Sequence, residues 1–333
     1  MRTLIIINAN AAGGKAVAVF KSIEGRVADV FGEFTAAVTE KPEELAGHLD
    51  AAAAAGVERL IAVGGDGTNH YVVNALAERP GPALIFGCLP VGTGSDWARA
   101  LGMPSNPAAA LDWLAGAQPL ACDLGKVEYL DMRRGARPAK RFFLNIASAG
   151  VSGEVDARVN RAQRRTAATF LMATIATLLK YKPPWITVEC DGNKLYEGRS
   201  YLLAVANGQF FGRGMWVAPK ALINDGLFDV VLVEGMPRRR ILLALQTVFS
   251  GKHLRRKDVH TTRAALVRVR SEDGPLGLDF DGEEAQGQDL RFTVLPEALK
   301  ILVHPSARSI GQRNHLQVHD LYDRRHPAPN EIT

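Results

Sequence analysis

The sequence is poor in cysteine and has no long apolar run. It contains three cysteines in 333 residues, Cys88, Cys122 and Cys190, and no two of them stand in C-x-x-C spacing. This scattered set argues against a disulfide framework and indicates a reducing compartment. No segment reaches the ~18 consecutive apolar residues that a membrane-spanning helix needs, and the first apolar run is too short for a signal peptide. The sequence therefore predicts a cytoplasmic protein without a membrane-spanning helix.

Two widespread nucleotide-binding patterns are also missing. The chain has neither G-x-x-x-x-G-K-[ST] nor G-x-G-x-x-G, which argues against a P-loop enzyme and a Rossmann dehydrogenase. The composition offers an ordinary apolar content of 47%, a net charge of +5 and a pI of about 9.1. A mildly basic protein suits anionic ligands or an anionic membrane surface. We predict no nucleic-acid partner.

The chain changes its pattern near residue 120. Residues 1–120 alternate strands with helices, which predicts a doubly wound parallel sheet with helices on both faces. Residues 121–305 carry mostly short strands separated by Gly and Asp turns, which predicts a β-sandwich-like second domain. Residues 306–333 are polar and are predicted to be a surface tail. The predicted fold class is therefore α/β, with an N-terminal doubly wound domain and a C-terminal β-sandwich-like domain.

Three predicted strands of the first domain end in glycine-rich turns that lead into helices. These turns cover residues 8–15 (NANAAGGK), 64–68 (GGDGT) and 92–96 (GTGSD). Ligands bind at the carboxyl ends of parallel strands, and helix N-termini with nearby glycines hold phosphate. An aspartate within the second turn, Asp66, would repel phosphate unless a divalent cation lies between them. For this turn alone, a simple strand-to-helix connection with a capping Asp is the alternative.

The glycine turns belong to a longer series of motifs that resembles one family. Bacterial diacylglycerol kinase-type lipid kinases, related to sphingosine kinases and more distantly to NAD kinases, carry N-P-x-x-G-x-G, G-G-D-G-T-x-x-E, P-x-G-T-x-N-D-F-A-R, A-P-x-A…D-G-x-x-D and D-G-E. Similar sequences stand here at residues 8–14, 64–71, 90–99, 218–229 and 281–283. The resemblance covers roughly residues 1–305. GGDGT alone is shared with NAD kinases and phosphofructokinases, whereas the later motifs are more specific.

The resemblance implies an ATP-dependent lipid kinase with Mg²⁺ as its metal and an NAD kinase/phosphofructokinase-like first domain. Lys15 could instead be a solvated loop lysine. Thr39 and Asp96 could instead be helix N-caps. The implied nucleotide-site residues are Asn8, Lys15, Thr39, Gly64, Gly65, Asp66, Gly67, Thr68, Asn69, His70, Thr93 and Asp96.

The same resemblance implies the catalytic and metal-binding residues. Glu283 would accept the proton of the lipid hydroxyl, Asp281 would be its partner in the metal and acid network, and Asp66 would reach Mg²⁺ directly or through water. Taken alone, Asp-Gly-Glu at 281–283 also fits an exposed hairpin turn. A structural metal loop is implied with four residues: the carboxylate of Asp225, the main-chain carbonyls of Leu222 and Leu227, and Asp123 nearby; a plain β-turn is the alternative.

Five positions depart from the family pattern. Ala9 and Ala12 replace the usual Pro and Gly, Ser95 and Trp97 replace Asn and Phe, and Tyr71 stands where the family usually has Glu. Ala9, Ala12 and Tyr71 keep open the hypothesis of a catalytically weak nucleotide-binding regulatory protein. An NAD kinase-like soluble kinase is a second alternative, against which the motifs at residues 218–229 and 281–283 argue.

The implied substrate is a lipid such as diacylglycerol or a sphingoid base, which requires contact with the inner face of a membrane. Residues 166–179 are apolar between basic residues, and residues 238–240 and 252–257 add positive charge. We therefore predict peripheral membrane contact, although the apolar segment also suits packing against the second domain. The oligomeric state is left open, a homodimer included.

Overall fold

The computed structural model describes residues 1–79, 84–92, 94–160, 167–307 and 309–311. Predictions made for Thr93, for residue 166 and for the tail from residue 312 onward lie outside the described residues.

The first domain is a parallel sheet with helices on both faces, as predicted. Its order is β4-β3-β1-β2, and all of these neighbours are parallel. Residues such as Ile6 and Leu60 are fully buried because helices cover both sides of the sheet. Its strands are β1 (Thr3–Asn8), β2 (Phe34–Thr39), β3 (Arg59–Gly64) and β4 (Ile85–Pro90). Its helices are the short turn α1 (Ala11–Gly14), α2 (Ala16–Phe31), α3 (Leu45–Ala54), α4 (Asp66–Ala77), α5 (Asp96–Ala100) and α6 (Pro107–Ala115), with a 3₁₀ turn at Pro42–Glu44.

The strands in the second part of the chain pair mostly in antiparallel fashion, as expected for the predicted β-sandwich-like domain. Its interior includes Phe143, which stacks on Phe228 and meets Phe292 edge-on. The strands are β5 (Gln118–Asp131), β6 (Arg137–Phe143), β7 (Ile146–Gly150), β8 (Trp185–Cys190), β9 (Asn193–Ala206), β10 (Phe210–Phe211), β11 (Met215–Trp216), β12 (Phe228–Glu234), β13 (Val259–Ala264), β14 (Leu266–Ser271), β15 (Leu276–Phe280) and β16 (Glu283–Val303). The helices are α7 (Val151–Asn160), α8 (Ala167–Lys180) and α9 (Arg238–Val248), with 3₁₀ turns at Met132–Arg134 and Lys252–Arg255.

Strand β16 belongs to both parts of the molecule. It begins in antiparallel pairing with β15, continues beside β5 and β14, and ends parallel to β4, where Ile301 lies opposite Phe86. Two register shifts against β5 bend it, and Asp289 and Glu297 in these regions have positive φ values of 53° and 55°. Strand β5 likewise runs through residue 120, so the predicted domain boundary, which stays a prediction, falls within a continuous strand.

One predicted strand is divided. The residue pattern predicts a single strand over residues 142–147, but β6 ends at Phe143 and β7 begins at Ile146. The backbone N–H groups of Leu144, Asn145 and Ile146 donate to the carboxylate of Asp281. The strand breaks because these donors turn towards a side chain.

Helix α4 is tied to the second domain by one side chain. The Nδ2 of Asn74 donates to the carbonyl of Phe142 at 2.8 Å, and the backbone N–H of Phe142 donates to Oδ1 of Asn74 at 2.9 Å. This pair of bonds fixes the helix that follows the GGDGT turn against β6. Among the described residues, no helix has the length and apolar character needed to cross a membrane.

Candidate active site

The three glycine-rich turns meet at the carboxyl edge of the parallel sheet. A cavity of about 940 Å³ begins there and extends into the second domain. Its lining changes from glycines and polar groups, through a group of carboxylates, to apolar side chains. The cavity therefore joins a polar, glycine-lined end to an apolar chamber.

The GGDGT turn needs glycine at its first position because another side chain occupies the space. A Cβ on Gly64 would lie 2.7 Å from Cβ of Thr68, closer than real Cβ atoms come. The hydroxyl of Thr68 is itself held by Nδ2 of Asn8, which donates to Oγ1 at 2.8 Å. The first and second glycine turns are thus bonded to each other.

Asp66 links the second turn to the third. Its carboxylate accepts the backbone N–H groups of Asp96 at 2.8 Å and Trp97 at 3.1 Å, at the start of α5. Burial, together with the negative charges of Asp96 and Asp281, raises the pKa of Asp66 to about 7. Burial also raises the pKa of Asp96, which accepts the backbone N–H of Arg213 and pairs with Arg99. Negative charge is therefore concentrated beside the glycine turns.

Asp281 organises the backbone around the site. Besides accepting three backbone N–H groups at 2.8–3.1 Å, it lies 3.4 Å from Nδ1 of the buried His70. It has φ +54°, a left-handed conformation that asparagine and aspartate tolerate better than most residues. The structure thus brings Asp281 to the acidic group, with its oxygens already engaged.

Glu283 lies against the GGDGT turn at the wall of the cavity. Its Oε1 would lie 3.0 Å from a Cβ built on Gly67, and its Oε2 accepts the hydroxyl of Tyr71 at 2.9 Å. Burial and the charge of Glu283 raise the pKa of Tyr71 to about 12, so the phenol keeps its proton at neutral pH. Tyr71 thus donates to the predicted base. Gly67 and Tyr71 stand four residues apart on α4, a spacing that places them on one face, and Glu283 lies against this face.

A second pair of carboxyl groups lines the cavity and was not predicted. Asp156 of α7 and Asp279 of β15 are hydrogen-bonded to each other, and Asp279 also accepts the backbone N–H of Gly282 at 2.7 Å. Burial, followed by the neighbouring carboxylate, raises the pKa of Asp156 well above its ordinary value, and burial raises that of Asp279 to about 7. The pair therefore shares a proton. No local sequence pattern points to this pair, because it joins a helix to a distant strand.

In the described part of the chain, half of the twelve predicted nucleotide-site residues line the cavity. These six are Asn8, Gly65, Asp66, Gly67, Thr68 and Asp96. Lys15 is exposed at the start of α2, and the buried Thr39 donates to the carbonyl of Ile7. Asn69 and His70 are buried within α4, and Thr93 lies outside the described residues.

The carboxylates predicted for the structural metal loop make hydrogen bonds and an ion pair within the protein. The buried Asp123 accepts the backbone N–H groups of Gly226 at 2.6 Å and Glu297 at 2.9 Å, and Asp225 pairs with the guanidinium of Arg263. The predicted ligands do lie together, with Leu222 and Leu227 in the same loop. Within the described ranges, no three His, Cys, Asp or Glu side chains group as metal ligands. The metal assignment stays a prediction.

The fold and site define a class of kinases in which an α/β domain precedes an NAD kinase-type β-sandwich. The family described as "Diacylglycerol kinase catalytic domain" matches residues 2–127, and "YegS C-terminal NAD kinase beta sandwich-like domain" matches residues 145–303. A diacylglycerol kinase crystal structure from Bacillus anthracis str. Sterne has the same fold, with a TM-score of 0.67 at 19% identity, over 92% of this chain and 98% of that one.

Two relatives resemble the chain in amino-acid sequence over most of its length. The chain is 32% identical to the "Probable lipid kinase YegS-like" of Pseudomonas fluorescens, over 78% of this chain and 82% of that protein. It is 30% identical to the "Diacylglycerol kinase" of Mycobacterium tuberculosis, over 77% and 80% respectively. The chain belongs to the diacylglycerol kinase-type lipid kinase family, and membership of this family makes it a phosphotransferase.

Gly64→Ala should destabilise the protein, because its Cβ meets Thr68 in a packed turn. We expect a loss of about 1–3 kcal/mol in the free energy of unfolding, as for other overpacked sites, measured by urea denaturation. Gly65→Ala is the matched control, since its Cβ would meet no atom closer than 3.8 Å. Equal denaturation midpoints for the two variants would contradict the steric argument.

Asp156→Asn should make stability less dependent on pH. The folded state raises the pKa values of Asp156 and Asp279, so above pH ~4 it holds protons that the unfolded chain releases. The free energy of unfolding should therefore fall as pH rises from about 4 to about 7, and fall less in Asp156→Asn, where an amide donates to Asp279. Asp29→Asn, on the exposed surface, is the control. If the free energy of unfolding of Asp156→Asn changed with pH as much as that of the wild type over this range, the shared proton would be refuted.

Proposed function

We propose that the protein transfers a phosphoryl group from ATP to the hydroxyl of a lipid, diacylglycerol or a related lipid such as a sphingoid base. The observation that carries the proposal is the single cavity whose two ends have opposite character. Glycines and backbone N–H groups line one end, apolar side chains line the other, and Glu283 lies between them.

The glycine end suits the phosphates of ATP. Helix α4 begins directly at the GGDGT turn, so its first unpaired N–H groups and positive dipole end face the cavity. In the first turn, Ala12 and Gly13 adopt left-handed conformations, and a Cβ on Gly13 would meet no atom within 4 Å. This open, donor-rich backbone supports phosphate binding.

The carboxylates beside the glycine end fit a hard divalent cation. Asp66 and Asp96 offer oxygen donors in close proximity, and their mutual repulsion is part of what raises the pKa of Asp66. These two residues would hold Mg²⁺. Bound there, Mg²⁺ would offset the negative charge of the phosphates during transfer.

Glu283 is the group best placed to take the proton of the lipid hydroxyl. It lines the cavity and faces Gly67, whereas the carboxylate of Asp281 is buried and already accepts three backbone N–H groups. In our proposal Asp281 therefore acts by holding the backbone of residues 144–146 in place. Tyr71 orients Glu283 by donating to Oε2, while Oε1 lies against Gly67 at the start of α4.

The far end of the cavity favours a lipid over a dinucleotide acceptor. Its lining includes Val155, Phe170, Leu178, Ile241 and Val248. An acyl chain would bury its surface there, while the ribose and phosphates of NAD would lose hydration without hydrogen-bonding partners. This argues against the NAD kinase-like alternative. The presence of Glu283 in the cavity argues against a purely regulatory protein.

The test measures ADP release with diacylglycerol and sphingosine in detergent micelles and with NAD in solution. We expect turnover with a lipid and none with NAD. Glu283→Gln, which keeps the shape of the side chain, should lower kcat about 10²–10⁴-fold because the base is lost. Turnover with NAD in the absence of lipid would refute the proposal. ATP binding without ADP release in the presence of any of these acceptors would support the regulatory alternative.

Tyr71→Phe should lower kcat and leave KM for ATP nearly unchanged. The variant removes only the hydroxyl that donates to Glu283, a bond to a charged group of the kind worth about 1.5–3 kcal/mol. We therefore expect roughly a tenfold or greater loss of kcat in the micelle assay. The urea denaturation midpoint serves as the control for folding. A kcat equal to wild type would show that Tyr71 does not position the base.

A further inference from the structure

Helices α8 and α9 cover the apolar end of the cavity. Phe170, Thr174 and Leu178 line it from α8, and Ile241 and Ala244 line it from α9. The two helices pack against each other. Their inner faces therefore form one wall of the chamber proposed for the lipid.

The outer faces of the same helices are also apolar. Leu171, Met172 and Leu179 on α8 are 42%, 65% and 41% exposed, and Leu243 and Phe249 on and just after α9 are 60% and 50% exposed. These five make up the majority of the nine large apolar side chains that are exposed in the described part of the chain. Scattered exposed apolar residues are ordinary, but such a concentration marks an interaction surface. We call these five residues the outer apolar face.

Helix α8 differs from a normal surface helix in its sequence. From Ala167 to Leu179 it contains no charged residue, and the first charge is Lys180 at its end. A surface helix of a globular protein has a polar outer side, whereas a helix that is apolar all round is covered by protein or lipid. Since α8 is too short to span a bilayer, a bilayer surface is a suitable cover for its outer side.

Basic residues stand at the ends of the same two helices, and one of them, Arg240, also pairs with Asp258 at 3.2 Å. Arg238, Arg239 and Arg240 are exposed at the start of α9, Lys180 is exposed at the end of α8, and Lys252 follows α9. Basic residues at the edge of an apolar surface are attracted to anionic headgroups, at about 1 kcal/mol for each well-placed residue. The charge complementarity therefore selects an anionic bilayer over an uncharged partner.

A groove lies between the outer apolar face and the chamber. This smaller cavity of about 250 Å³ is lined by α8, by α9 and the residue after it, and by the β10–β11 hairpin, and its lining includes Leu171 and Phe249 from the outer apolar face. Phe170 and Leu245 line this groove and also the main cavity. These shared side chains therefore separate the groove from the chamber, and the groove reaches from the outer apolar face to that wall.

We propose that the outer apolar face of α8 and α9 docks on an anionic lipid bilayer, and that the lipid passes between these two helices into the cavity. This inference rests on the proposed function for its substrate, but docking itself requires neither ATP nor turnover. The substrate would then leave the bilayer directly into an apolar chamber, without crossing water.

The docking test is sedimentation of the full chain with vesicles of phosphatidylcholine containing about 30% phosphatidylglycerol. The double variant Met172→Asp with Leu243→Asp places charge on the face without touching a residue that lines either cavity. We expect at least tenfold weaker vesicle binding. The control is Val38→Asp, which adds the same charge at an apolar side chain 48% exposed on β2, and its binding should match wild type. Urea denaturation checks that each variant is folded.

Three further measurements separate the outcomes. Kinase activity of the double variant should fall on vesicles but remain at the wild-type value in detergent micelles, where docking is not needed. Unchanged vesicle binding by the double variant would overturn docking, and if the variant also turned a wild-type dimer into a monomer, the occupant would be a second copy. Wild-type protein that binds vesicles through this face but phosphorylates no lipid would refute the proposed function and leave docking intact.

Discussion

The site depends on the capture of three consecutive backbone N–H groups by the carboxylate of Asp281. This side chain comes from the turn between β15 and β16, and it interrupts the run from β6 to β7 by turning its donors inward. It also lies beside His70 of α4, the helix that follows the GGDGT turn. Since α4, the β6–β7 connection and the start of β16 all meet here, the position of Glu283 relative to the glycine turns follows from this one carboxylate.

The cost of this arrangement is a concentration of buried negative charge. Asp66, Asp96, Asp156 and Asp279 all have raised pKa values, and burial is the first cause in each case. Backbone donors stabilise part of this charge, and the Asp156–Asp279 pair avoids part of it by sharing a proton. A protein interior keeps such groups only when something else compensates them, and groups perturbed in this way concentrate at functional sites.

Local sequence patterns predicted the parts of the site that depend on neighbouring residues. The alternation of strands and helices placed the three glycine turns at one sheet edge, because the ends of parallel strands share an edge. The motif at residues 281–283 gave Glu283 its proposed role by resemblance. The contact between Tyr71 and Glu283 joins residues that are 212 positions apart, and the Asp156–Asp279 pair joins a helix to a distant strand. No local pattern encodes such pairings, because Tyr71 and Glu283 meet where the two domains pack, and Asp156 and Asp279 meet through packing within the second domain.

Strand β16 has a consequence for how the molecule is made. The sheet that carries the glycine turns receives its last parallel neighbour from residues 300 and 301, which pair with Ile85 and Phe86. During synthesis, the first domain emerges long before that strand exists. Its β4 edge therefore stays open to other pairings until residues 300 and 301 have been translated. The same strand that carries Glu283 into the site thus also closes the sheet, so the protein completes its nucleotide-binding fold and its proposed base in a single late step.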